Sequence, residues 1–173
     1  MNQLVLALQQ NYQANLADFC WGSNLLLKNS LENIIHDIPD RIIYLWGAPG
    51  CGKSHLLQAC CQLATQTQQT AAYLPLALLK DWDSSCLEDM DKLRLIALDD
   101  LESIAGQAHW EEAIFHLFNR VRDNETTSLI LASTLSPRQL QLRLPDLKSR
   151  LLWGLVFHIA DLEDHLKITA LQT

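Results

Sequence analysis

Residues 47–54 read Gly-Ala-Pro-Gly-Cys-Gly-Lys-Ser, a complete G-x-x-x-x-G-K-[ST] phosphate-binding loop. The run before it, Arg41-Ile42-Ile43-Tyr44-Leu45-Trp46, is apolar and rich in β-formers, and Ser54-His55-Leu56-Leu57 opens a helical pattern after it. A strand, a glycine-rich turn and a helix N-terminus point successive backbone N–H groups at one spot, which suits a phosphate. Gly47, Gly50, Cys51, Gly52, Lys53, Ser54 and His55 are therefore expected to hold a nucleotide. Lys53 would place a mobile charge on the β- and γ-phosphates, and the Ser54 hydroxyl would take a position on Mg²⁺. The glycines permit the positive φ angles and the close backbone approach that such a loop needs. The bland alternative is a glycine-rich turn followed by chance by Lys-Ser, and the strand–loop–helix context argues against it.

A chain of 173 residues fits one domain with a real core. Apolar content of 49% and a mean hydropathy near zero describe a soluble globular protein. No apolar run approaches a membrane span, and Met1-Asn2-Gln3 lacks the basic start of a secretory signal, so a cytoplasmic location is expected. The five cysteines form no C-x-x-C pair, which fits a reducing compartment and argues against zinc. Cys51 inside the loop is either redox-sensitive or a tolerated small residue, and the second reading is preferred. The net charge of −7 and the lack of a basic stripe point away from much direct DNA binding. The nearest approach to a basic cluster is Arg138, Arg143, Lys148 and Arg150.

Periodicity predicts a helix over 24–36 with Ser23 or Asn24 as N-cap and Pro39 as its stop, then strand 1 at 41–46. A helix follows the loop to about Gln68. Strand 2 is 71–74, ended by Pro75, and the polar segment 81–91 holds a short helix. Strand 3 is 93–98, and Trp110 to Val121 form the clearest amphipathic helix, with Glu111 and Glu112 favouring its N-terminal dipole. Strand 4 is 128–132, two short helices span about 137–142 and 145–153, strand 5 is 155–159, and Asp161 caps a final helix. Alternating strands and helices imply an α/β fold with a parallel sheet covered on both faces.

Leu95-Ile96-Ala97-Leu98-Asp99-Asp100 is an apolar strand ending in two carboxylates, 46 residues after Lys53. In a P-loop protein Asp99 would hold Mg²⁺ through water, and Asp100 could orient or deprotonate the attacking water. Ser133 and Thr134 end strand 4. They are either hydroxyls opening a turn or, if strand 4 lies between strands 1 and 3, a sensor of the γ-phosphate in which Thr134 takes part.

The order of these elements, followed by Leu147-Lys148-Ser149-Arg150-Leu151-Leu152-Trp153-Gly154, resembles the AAA+ module of the bacterial replication initiator DnaA over roughly residues 15–170. Phe19-Cys20-Trp21-Gly22-Ser23-Asn24 resembles the initiator's segment that lies against adenine, which implies that Phe19 and Trp21 flank the base. Within that family the chain looks most like the Hda regulators. The runs that carry this are Tyr44-Leu45-Trp46, Leu101-Glu102-Ser103-Ile104-Ala105-Gly106, Trp110 to Phe115, Pro137-Arg138-Gln139-Leu140 and Leu144-Pro145-Asp146-Leu147. The short interval between Lys53 and Asp99 leaves little room for the initiator's extra DNA-gripping helix, and Asp146 stands where the initiator pattern tends to carry Arg. The resemblance implies a five-stranded parallel AAA+ sheet sandwiched by helices, ADP or ATP with Mg²⁺ as ligands, and a bacterial cytoplasm. It also implies Arg150 as an arginine finger acting in trans. The competing reading of Arg150 is a surface pair with Asp146. Hda proteins can have a degraded phosphate loop; here it is intact, which keeps hydrolysis in cis within reach. The small helical lid with its sensor arginine is expected to be missing, because the chain stops at Thr173.

Gln3-Leu4-Val5-Leu6-Ala7-Leu8 alternates apolar residues before a polar stretch. An edge strand or frayed tail is one reading. The other follows from the resemblance: residues 1–12 form a clamp-binding peptide, with Gln3, Leu4, Leu6 and Leu8 engaging the DNA polymerase III β sliding clamp, and 13–173 form the AAA+ domain. Ala7 stands where that motif often has proline. The function so implied is a regulator that, docked on the clamp, stimulates ATP hydrolysis by DnaA while having at most weak turnover of its own; a homo-oligomer is left open. The alternatives are a DnaA-like initiator or helicase-loader ATPase acting on its own nucleotide, and a module that tethers a partner to the clamp.

Overall fold

The five strands hydrogen-bond in the order β2-β3-β4-β1-β5, all parallel, so the strand carrying the loop is one removed from the strand carrying the acids. The computed structural model describes residues 14–36 and 40–160. The strands are β1 (Ile42–Trp46), β2 (Ala71–Pro75), β3 (Leu95–Asp99), β4 (Ser128–Ser133) and β5 (Leu155–His158). The α-helices are α1 (Leu25–Glu32), α2 (Lys53–Gln66), α3 (Leu76–Leu79), α4 (Ala108–Asn124) and α5 (Pro145–Leu151), with single 3-10 turns at Leu16–Asp18, Ser84–Leu87, Met90–Lys92 and Leu101–Ile104. Among the described residues no helix is long and apolar enough to cross a membrane.

The β-branched and aromatic run of β1 suits a pleat, and its alternation divides the core into two layers. Ile43, Leu45, Leu95, Ala97, Ile130 and Ala132 meet α1 and α2 on one face. Tyr44, Ile96, Leu98, Leu129 and Leu131 meet α4 and α5 on the other. A parallel sheet covered on both faces needs such near-continuous apolar strands. The expected sandwich of five parallel strands is therefore present, and no lid lies among the described residues.

Four expectations change. The first helix stops at Glu32 rather than 36: Asn33 is its C-cap, the Asn33 side chain donates to Asn29 O, and the Ile34 N–H shifts to Leu31 O. An asparagine amide competing for a helix carbonyl favours this ending, and Ile34 and Ile35 still reach the core from the turn. The helix expected at 137–142 is a turn. Its continuation would need the Arg143 and Leu144 N–H groups, and both are taken by the Glu111 carboxylate. β3 begins at Leu95, because Met90–Lys92 is a 3-10 turn whose carbonyl at Met90 takes the Leu93 N–H. β2 also includes Pro75, tolerable on an edge strand. The N-terminal peptide with Gln3, Leu4, Leu6 and Leu8, the stop at Pro39 and the helix after Asp161 lie outside the described residues.

Candidate functional site

The phosphate loop leaves the carboxyl end of β1 and enters α2 through Gly52, whose φ is 99° and which offers no side chain to cap the helix. The first turn of a helix leaves N–H groups without intrahelical partners, and here they end at the loop. Gly50 also has positive φ, 80°. Gly47 is needed for space: a Cβ there would come within 2.5 Å of Ile159 O. The Gly47 N–H donates to Ser133 O, which fastens the loop to β4.

Lys53 is buried, 7% exposed, and its ammonium donates to Gly47 O at 2.7 Å and Ala48 O at 2.9 Å. A charge folded onto carbonyls of its own loop is satisfied but not neutralised. Ser54 is exposed at the start of α2. His55 reaches away from the loop, its Nε2 bonding Asn15 O at 3.0 Å and strapping the N-terminal segment onto α2.

That strap carries Phe19 and Trp21. The Phe19 ring lies over Gly52, where an added Cβ would meet it at 2.6 Å, and it meets Trp21 edge-on with centroids 4.8 Å apart. The Trp21 indole donates to Leu16 O. Of the two aromatic residues expected beside the base, Phe19 lies against the loop and Trp21 packs behind it on the Phe19 ring. A cavity of about 300 Å³ lies between the strap and α2, lined by Asn15, Ala59, Gln62 and Gln66, but no residue of 47–54 lines it.

Asp99 ends β3 and is 1% exposed. Its Oδ1 accepts the Asp100 N–H at 2.9 Å and its Oδ2 accepts the Tyr73 hydroxyl at 2.7 Å. Burial, then the neighbouring Asp99 charge, push the Tyr73 phenol up, so it stays protonated and donates. Asp100 has a left-handed backbone, φ 56°. Its carboxyl is raised by partial burial and by the charges of Asp99 and Glu102, against the opposing pull of Lys53, which brings the two acids and the lysine into one electrostatic neighbourhood. β4 does lie between β1 and β3. Thr134 follows it, and Glu102 grips the residue twice, accepting its hydroxyl at 3.0 Å and its N–H at 3.3 Å.

Mg²⁺ is the metal a P-loop with these acids implies. The donor set fits: a serine hydroxyl opening α2, the Asp99 carboxylate, and Gln58, which lies against the Tyr73 phenol and keeps a buried Oε1 without a partner. Among the described residues no cluster of three or more His, Cys, Asp or Glu is placed to hold a metal ion.

Arg150 stands apart from this group. Its guanidinium lies 3.8 Å over the Trp153 ring and 5.5 Å from that of Phe115, and its Nε donates to Asn119 Oδ1 at 3.4 Å. Among the described residues no ion pair joins it to Asp146.

Sequence reasoning passed over Tyr73, Glu102 and the structural part of Glu111. Only Glu111 left a readable sign: a carboxylate three residues before Ile114 and seven before Phe118, on the apolar face of α4.

The pattern of the bacterial DnaA ATPase domain matches residues 8–158. An uncharacterised protein of Haemophilus influenzae is 40% identical over 170 residues, covering 98% of this chain and 74% of its own. DnaA from Aquifex aeolicus, in a structure bound to AMPPCP, is 26% identical with a TM-score of 0.75, covering 86% of this chain and 50% of the other. Domain III of the Thermotoga maritima initiator shares the fold at 20% identity, with a TM-score of 0.77 over 94% of this chain and 73% of the other. The chain thus spans about half the length of the Aquifex initiator it matches. The match covers most of the chain, and the chain belongs to the family of the bacterial DnaA ATPase domain.

Proposed function

We propose that this chain is a nucleotide-binding AAA+ regulator of the Hda type, which docks on the sliding clamp and stimulates ATP hydrolysis by DnaA. The observation that carries the nucleotide part is the placement of Lys53, Asp99 and Thr134 at or past the carboxyl ends of the adjacent strands β1, β3 and β4, beside an α2 N-terminus with no side-chain cap. Phosphate oxygens accept from the loop N–H groups, and the Lys53 ammonium moves from its loop carbonyls to the phosphates. Ser54, and Asp99 through water, would hold Mg²⁺, which would offset phosphate charge. Phe19 and Trp21 shelter the base.

The regulatory part rests on Arg150. It lies beside Leu152 and Trp153, which are 46% and 53% exposed, an apolar rim suited to a partner surface. A guanidinium delivered from there serves a neighbour's nucleotide rather than the chain's own. The clamp contact is assigned to residues 3–8 on sequence alone, and the site of action to the bacterial cytoplasm.

A second reading, an initiator- or loader-type ATPase working on its own nucleotide, is favoured by the intact loop and by Asp100 beside Asp99. One experiment separates the two: turnover of the chain alone, and of ATP-loaded DnaA with the chain, with and without DNA-loaded clamp. The regulator reading expects slow turnover alone, stimulation that needs the clamp, and loss of that need's benefit when residues 1–9 are deleted. Turnover of the isolated chain at ~1 per second or faster would favour the ATPase.

A further inference from the structure

β2 brings a group of its own to the magnesium side of the site. Tyr73 is half-buried on that edge strand, and its hydroxyl donates to Asp99 Oδ2 at 2.7 Å, while the Asp100 N–H holds Oδ1 at 2.9 Å. Each oxygen of a carboxylate has two lone pairs, so one stays free on each for a metal-bound water. The two donors together fix the plane of the carboxylate. The Ser54 hydroxyl and the Gln58 side chain lie against the same phenol, so the side chain of β2 touches both halves of the magnesium-holding set. Gln58 Oε1, buried with no partner, is an acceptor waiting for a donor that the protein does not provide.

We propose that Tyr73 is a positioning residue for a magnesium-bound nucleotide, orienting Asp99 toward the ion's hydration shell, with Gln58 Oε1 as a further acceptor for one of its waters. The inference rests on the nucleotide site described above. Residues that orient a metal ligand commonly carry 10- to 100-fold of the metal affinity, because an unheld carboxylate must be ordered when the ion binds.

The test measures ADP affinity with Mg²⁺ and with EDTA, in the parent and in Tyr73→Phe, which keeps the ring and removes the hydroxyl. The expected result is an unchanged affinity in EDTA and a Mg²⁺-dependent gain reduced by about 10-fold. Gln58→Met guards against misfolding of the first variant. Removing a buried unpaired oxygen should raise its melting temperature, yet its Mg²⁺ gain should also fall. A Mg²⁺ gain equal to the parent's in both variants overturns the inference and leaves the nucleotide site standing. A parent that binds ADP with no preference for Mg²⁺ overturns it too, and a parent that binds no nucleotide sinks the site reading along with it.

Discussion

The Glu111 carboxylate accepts the Leu144 N–H at 2.8 Å, joining the first turn of α4 to the residue before α5. The same buried carboxylate takes the N–H groups of Gly106 and Arg143. Three backbone donors from two loops converge on one side chain, and α5 with Arg150 starts at the next residue, Pro145. Glu111→Gln turns an acceptor oxygen into a donor facing those N–H groups. It is expected to cost about 1–3 kcal/mol, read by urea unfolding. Stimulation in trans should drop while ADP affinity holds, because α5 loses its anchor and α2 does not. A stability equal to the parent's would show that a single amide oxygen serves those N–H groups as well as the carboxylate.

Lys53→Ala removes the charge now held by Gly47 O and Ala48 O. The fold should survive at a cost of about 1–3 kcal/mol, since Gly47 O is left buried without its donor while the two core layers are untouched. ADP affinity should fall at least ~10-fold, on the scale of one lost charge-assisted contact. Calorimetric titration decides it, and an affinity matching the parent's removes the loop from nucleotide binding.

Arg150→Ala deletes a guanidinium stacked on Trp153 and bonded to Asn119. The stack is partly exposed, so the stability loss should stay near 0.5–1 kcal/mol. If the group acts as a finger, stimulated hydrolysis by ATP-loaded DnaA should fall ~10³-fold or more. Nucleotide and clamp binding should be untouched. Normal stimulation by the variant would make Arg150 structural.

Asp100→Asn should stabilise the nucleotide-free protein. Burial and the charges of Asp99 and Glu102 raise the Asp100 carboxyl above its ordinary value. The folded state therefore binds this proton more tightly than the unfolded state, and the cost of the charge grows as pH rises through the raised value. The gain in melting temperature should be larger at about pH 7 than at about pH 4, below which aspartate is protonated in both states. Asparagine also accepts the left-handed backbone of this position. Equal gains at both pH values would assign the effect to the backbone instead of the charge.

The phosphate loop, the acid pair and the five alternating strands could be read from the chain because each is written in contiguous residues. Gly47 to Ser54 form one turn of backbone, and Leu95 to Asp100 one strand and its end. Boundaries were less legible where side chains compete with backbone. Asn33 ends α1 early, and Glu111, from 32 residues away, takes the Arg143 N–H just past the expected 137–142 helix.

Sequence by itself determined the fold class and the chemistry of the loop, since periodicity and spacing suffice to place a helix N-terminus after β1 and two carboxylates after β3. Tertiary structure alone decided which side chains meet at the strand ends. Tyr73 meets Asp99 across 26 residues, and Glu102 grips Thr134 across 32. Only strand order brings such pairs together: β2 beside β3 sets the first, and β4 beside β3 the second. A hydrogen bond between distant residues has no period and no spacing, so it enters the chain's description only once the sheet has formed.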